Sequence, residues 1–141
     1  MSQIMSDKAA EPVGPYPHAR RVGRLLFLSG IGPRKRGSQD IPGVELGANG
    51  QIVSYDFEKQ FHSMMENIKN VLAASDATLR QIVDVQVFLT DMKTDFQKMN
   101  KVYAEYFAEI GPTRTTVEVG ALPTPIAVEL KVIVDLDADK S

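Results

Sequence analysis

The stretch Ile82–Val119, "IVDVQVFLTDMKTDFQKMNKVYAEYFAEIGPTRTTVEV", decides the fold. It opens with Val83, Val85, Val87 and Leu89 alternating against Asp84, Gln86, Phe88 and Thr90, the two-residue period of a strand with one apolar face. The period then lengthens. Phe96, Met99, Val102, Tyr103, Tyr106, Phe107 and Ile110 recur every three or four residues, which predicts a helix from about Asp95 with these side chains on its buried stripe. Gly111-Pro112 stops that helix, and Thr113, Thr115, Val117 and Val119 alternate against Arg114, Thr116 and Glu118 in a second strand. Strand, helix, strand in this order predicts a right-handed crossover.

Working outward, the same pattern occurs once more. Phe57, Phe61, Met64, Met65, Ile68, Val71 and Leu72 line one helical face behind an N-cap at Ser54 or Asp56. Before it, "RLLFLSG" at Arg24–Gly30 reads as a buried strand. The segment Ile31–Ser54, with two prolines and five glycines, reads as loop and hairpin, with "GANG" turning into a short strand at Gln51–Val53. After "LPTP", a last strand sets Ile126, Val128, Leu130, Val132, Val134 and Leu136 against Ala127, Glu129, Lys131, Ile133 and Asp135. The expected fold class is α+β, one mixed β-sheet with both helices on one face. The other face would stay uncovered, so a second copy of the chain is its expected cover, giving a homo-oligomer. Residues 1–13, small and polar with Pro12, read as a flexible lead-in, with order beginning near Tyr16 and a single domain over 14–137.

Composition narrows the function classes. A chain of 141 residues, 43% hydrophobic and 24% charged, suits one domain with its own core. A formal net charge of −2 supplies no general attraction to nucleic acid or to an anionic membrane, so neither is an expected partner. No cysteine is present, which removes disulfide and thiolate chemistry. His18 and His62 are the only histidines, and neither has a neighbour that would complete a metal site, so no metal is expected. His62 reads as a boundary or solvent-facing side chain. With no apolar run of signal-peptide or membrane-span length, a cytoplasmic protein is expected.

Two ionisable residues interrupt strands suited to a sheet interior, Arg114 and Glu129. A guanidinium is a rigid fork that matches a carboxylate, and a glutamate partly removed from water can act as general base and acid. Such a pair would suit a small carboxylate substrate attacked by water. It would equally be an ion pair between neighbouring strands, and spacing alone favours the ion pair.

The chain also resembles a known family. "GPYPHA" at Gly14–Ala19, "FLSGIGP" at Phe27–Pro33, "IVDVQVFLTDM" at Ile82–Met92, "DFQKMNKVYAEYF" at Asp95–Phe107 and the closing "TRTTVEVGALP…VELKVIV" are similar to motifs of the RidA/YjgF imine deaminases, in the same order from Gly14 to Val134. The resemblance implies a chorismate-mutase-like fold and a homotrimer with active sites between subunits. It implies that Arg114 clamps the substrate carboxylate and that Glu129 orients or activates the attacking water. Tyr16, Ser29, Gly30, Asn100 and Thr116 are then the expected substrate-binding positions. A cysteine common in that family just past the arginine is Thr116 here, which excludes thiol chemistry and leaves the arginine and glutamate in place.

The long Arg34–Gln60 insert and helix start, "GPYPHARRVG" and "ALPTPIAVELKVI" look most like bacterial 2-aminomuconate deaminases. That resemblance implies hydrolysis of 2-aminomuconate to 4-oxalocrotonate and ammonia in aromatic catabolism, without metal or organic cofactor. Two alternatives remain open: a broad-specificity 2-iminobutanoate/2-iminopropanoate deaminase, and a non-catalytic trimer that binds small acids. A dicarboxylate substrate gives a use for one of Arg34, Lys35, Arg36, Arg20 or Arg21 at its distal carboxylate, although a solvated basic loop accounts for most of them.

Overall fold

A computed structural model describes residues 2–141. The elements are β1 (Gln3–Ile4), β2 (Ala19–Val22), β3 (Leu25–Leu28), β4 (Val44–Leu46), β5 (Ile52–Tyr55), α1 (Phe57–Ala74), β6 (Ile82–Leu89), α2 (Met92–Phe107), β7 (Thr113–Glu118) and β8 (Val128–Asp135), with a 3-10 turn at Leu79–Gln81. Six strands form one mixed sheet in the order β1-β2-β3-β8-β6-β7, while β4 and β5 form a separate hairpin. The α+β class with two helices on one sheet face is what the two periodicities predict.

The crossover that decides the fold is β6-α2-β7, whose strands are parallel neighbours with Val85 opposite Arg114 and Val87 opposite Thr116. The last strand, β8, runs antiparallel on the other side of β6, with Phe88 opposite Glu129. It also pairs antiparallel with β3, so the chain's final strand fills the centre of the sheet. Its alternation is strict: Val128, Leu130, Val132 and Val134 are buried, and the residues between them are half-buried.

Both helices cover the buried face. Phe57, Phe61, Met64, Met65, Ile68, Val71 and Leu72 on α1 are all buried, as the spacing predicts. Burying each large apolar side chain contributes about 1.5–3 kcal/mol, so this stripe holds α1 to the sheet without help from helix propensity. Asp56 is the N-cap, accepting from Lys59 N–H at 3.1 Å. Ser54, the other candidate cap, instead sits in β5, its hydroxyl donating to Glu45 Oε2.

Three expectations shift. Val83 is exposed and Ile82 is buried in its place, because the β6-β8 register slips between Ile82 and Asp84 and reverses the alternation at the strand's start. The second helix begins at Met92, earlier than Asp95. Asp91 caps it by accepting from Thr94 N–H, and Glu118 Oε1 accepts from Met92 N–H. Asp95 is therefore inside the helix and buried, and Phe96 faces outward. Third, contacts with the domain begin at Gln3, before Tyr16. Gln3 and Ile4 pair with Arg20 and Ala19, and Ser6 and Ala9 are buried. His18 anchors this segment, its Nδ1 accepting from Ser6 N–H at 2.9 Å and its Nε2–H donating to Ala10 O at 2.7 Å.

Candidate active site

Among the described residues the opposite sheet face carries no helix, and on it Glu129 projects between Phe88 of β6 and the end of β3. The strand ladder explains the room it finds. β3 pairs with β8 as far as Phe27 opposite Ile133, and contact resumes only with Ile31 opposite Leu130. Four steps along one strand thus match three along the other, one extra residue, which makes Leu28–Gly30 a bulge. The carbonyls and hydroxyls it frees are used locally: Lys131 Nζ donates to Leu28 O at 2.8 Å, and Ser29 Oγ donates to Pro17 O at 2.7 Å.

Gly30 lies at the apex of this bulge. A Cβ built there would collide with Glu129 Oε2 and come within 3.0 Å of its Cδ. With glycine there the carboxyl group rests against the backbone itself, and any larger residue would push it from this position. Around the carboxyl is a cavity of about 140 Å³ lined by Tyr16, Gly30, Arg34, Thr124 and Ile126 among others. Among the described residues, Glu129 has no ion-pair partner. Burial raises its pKa from the ordinary 4.5. A half-buried carboxyl of raised pKa without an ion-pair partner holds its proton more readily than an exposed one and is suited to acid-base work.

Arg114 lies elsewhere. It pairs with Val85, so it shares the helix-covered face, at the sheet edge formed by β7. Its guanidinium stacks on the Tyr103 ring, 4.8 Å from the centroid, and Nη1 is 3.7 Å from the Met99 sulfur. Thr116 is two residues along the same face of β7, its hydroxyl buried without a partner, as is the hydroxyl of Tyr103. Asn100 stands on α2 between Met99 and Tyr103 in sequence and is half-buried. Burial pushes the Tyr103 phenol up, opposed by the neighbouring Arg114 charge.

The seven expected site residues therefore fall into two groups. Tyr16, Ser29, Gly30 and Glu129 meet around the bulge; Arg114 and Thr116 share the helix-covered face of β7, and Asn100 stands on α2, whose Met99 and Tyr103 touch the guanidinium. Within one chain β6 separates β7 from β8, and Arg114 and Glu129 are on opposite faces. The ion pair between neighbouring strands does not exist. Nor are the two side chains near one another in one chain, because the parallel crossover carries β7 to the far side of β6.

Two groups of residues escaped the sequence reading. The helical spacing assigns Tyr103 and Met99 to the core alone, yet they support the guanidinium. The segment Ala9–Val13, expected as lead-in, forms cavity wall. Asn67 ties it down, accepting from Ala10 N–H at 3.1 Å through Oδ1 while Nδ2 donates to Gly32 O at 2.9 Å and Arg34 O at 2.6 Å. A polar residue at a stripe position of α1 was the available signal. Gln60, seven residues earlier on the same stripe, likewise uses Oε1 to accept from Ala127 N–H at 2.9 Å.

Comparison with known proteins agrees with this architecture. Residues 6–136 match the family profile described as Endoribonuclease L-PSP. The chain belongs to the RidA/YjgF (L-PSP/RutC) family. A RutC family protein of Pyrococcus horikoshii is 38% identical over 133 residues, 92% of this chain and 94% of the relative. The chloroplastic Reactive Intermediate Deaminase A of Arabidopsis thaliana is 32% identical over 136 residues, 94% of this chain and 65% of the plant protein. Among solved structures, RidA from an Antarctic Psychrobacter superposes with a TM-score of 0.82 at 30% identity, covering 96% of this chain and 99% of the other. E. coli TdcF with bound serine gives 0.80 at 28% identity, covering 96% and 98%. In this RidA/YjgF chain, the bulge that seats Glu129 and the edge that carries Arg114 are the two features for a functional reading to unite.

Proposed function

We propose that the chain is a hydrolytic imine deaminase whose site is completed between two copies in a homotrimer, with 2-aminomuconate as its substrate. The observation that carries the proposal is the Glu129 carboxyl, raised in pKa by burial and set against Gly30 without a cation. The name of the Arabidopsis relative and the serine bound by TdcF support a small amino-acid-derived substrate. The open face carries Phe27, Phe88, Val117 and Ile133 among polar residues, apolar area that a second copy would cover. A neighbouring chain's edge would bring its Arg114 to the cavity.

The chemistry follows from those groups. The enamine tautomerises to the imine, and Arg114 of one chain holds the carboxylate beside the imine carbon bidentately. Glu129 of the next chain takes a proton from water as its oxygen bonds to that carbon, and delivers the proton to the nitrogen. As the C–N bond breaks, Glu129 takes the proton of the new hydroxyl and passes it to the nitrogen, so ammonia departs and a 2-oxo acid is left, imine and water being balanced by ketone and ammonia. An imine carbon next to a carboxylate is electrophilic enough that the residues need only orient reactants and move protons. Ammonia release from freshly generated 2-aminomuconate tests the reading, with steady release expected. No release from this or any smaller imino acid overturns it, and a strong preference for small imines replaces 2-aminomuconate by the broad-specificity reading.

A further inference from the structure

The cavity beside Glu129 holds a second charge that the deamination steps leave unused. Arg34 lines it together with Tyr16, Gly30 and Thr124. Its position is fixed from two sides. Asn67, only 6% exposed, donates to the Arg34 carbonyl, and Arg34 Nη2 donates to the Glu11 carbonyl. A guanidinium has five N–H donors, and the rest of this one's find no partner among the described residues.

The neighbouring basic residues are placed otherwise. Arg36 is turned to the carbonyls of Ser6 and Ala9, at 3.2 and 3.0 Å, and with Lys35 lines a separate groove beside α1. Arg21 Nε donates to Gly23 O, and Arg20 is exposed on β2. Of the five basic residues considered for a distal carboxylate, Arg34 is the one that faces the Glu129 cavity.

We infer that Arg34 is a specificity-determining residue that holds a second anionic group, so that the site selects acids carrying an anion at each end. The inference rests on the deaminase reading of the same cavity. Arg114 of the adjoining chain takes the carboxylate next to the reacting carbon, Glu129 handles the proton between them, and Arg34 takes the far end. A fixed fork with free donors recognises a planar carboxylate with little ordering cost, which favours binding discrimination over a rate effect.

Binding measured without turnover separates this inference from the reaction. Calorimetric titration compares muconate, an unreactive six-carbon dicarboxylate, with sorbate, the same diene with a methyl group in place of one carboxylate. The wild-type protein is expected to prefer muconate by about tenfold or more, the scale of one charge-assisted pair. Arg34→Gln, which removes the charge and keeps a polar side chain, should bind both ligands equally and leave sorbate affinity unchanged. Arg34→Lys should retain part of the preference, and Lys35→Gln, which removes the same charge one residue away, should retain all of it. No muconate preference in the wild type, an unchanged preference in Arg34→Gln, or equal weakening of both ligands in that variant overturns the inference. Ammonia release with no dicarboxylate preference removes the role of Arg34 alone. Dicarboxylate preference without ammonia release removes the deaminase reading and leaves Arg34 as an anion-binding residue.

Discussion

The two halves of the candidate site are built in different ways. Around Glu129 the backbone does the shaping: a one-residue bulge, a glycine against the carboxyl, and an N-terminal segment pinned through His18 and Asn67. Around Arg114 side chains do it, with a guanidinium laid on Tyr103 at the edge of the sheet. The first half is a formed concavity, and the second is a projecting edge. A concavity with an unpaired acid and an edge with a cation are complementary only if they come from different chains, since one chain holds them on opposite faces.

Substitutions test each half separately. The largest effect is expected from Glu129→Gln, which should lower kcat for ammonia release by about 10²–10⁴, the usual contribution of a positioned acid-base group. The same variant should melt no lower than the wild type. Burial raises the folded-state pKa of Glu129 above its unfolded value, so the folded chain binds the proton more readily. Its contribution to stability is therefore full below pH 4.5 and is lost as pH rises through the raised value. Removing the charge relieves that loss at any pH above the raised value. A large drop in melting temperature would show that the carboxylate holds the fold together, which the Glu129 half of the comparison denies.

Arg114→Ala should cost about a hundredfold in kcat/KM, about 2.7 kcal/mol, as a charge-assisted carboxylate clamp is lost. A Michaelis constant for 2-aminomuconate that stays unchanged in this variant would sink the clamp. A smaller effect is expected at Tyr103, which positions Arg114 and touches no reacting atom. Tyr103→Phe keeps the ring and should remain within about twofold, whereas Tyr103→Leu should lose about three- to fivefold, mainly in KM, as about 0.5–1 kcal/mol of cation–π support disappears. Equal losses in both variants would point to the phenol hydroxyl and contradict the stacking role.

Much of the fold is written in the sequence in terms that periodicity can read. The α1 stripe and the β8 alternation are legible because every third or fourth residue of the helix and every second residue of the strand is committed to the core. The slip at Val83 is not, since a bulge costs one residue of register and leaves composition unchanged. The docking of Gln3–Val13 is hidden for a related reason: it is held by hydrogen bonds to single polar side chains, His18 and the distant Asn67, and its buried members Ser6 and Ala9 are small. Arg114 and Glu129 stand out as the ionisable residues in strands suited to a sheet interior, resemblance implies their separate roles, and spacing alone points to an ion pair. Spacing carries no information on strand order or register: β6 lies between β7 and β8, and pairing Arg114 with Val85 but Glu129 with Phe88, three residues further along β6, puts the two on opposite faces.

The central claim is that each working site takes Arg114 from one chain and Glu129 from another. Co-expressing Arg114→Ala and Glu129→Gln chains in equal amounts tests it directly, because each variant alone should be nearly inactive. If the sites lie between subunits of a closed ring, random assembly places an intact arginine opposite an intact glutamate in about one site in four, and about a quarter of wild-type ammonia release should return. If both residues serve a site within one chain, every chain in the mixture lacks one of them. Activity that stays at the level of the single variants, in oligomers shown to contain both chains, would contradict the account.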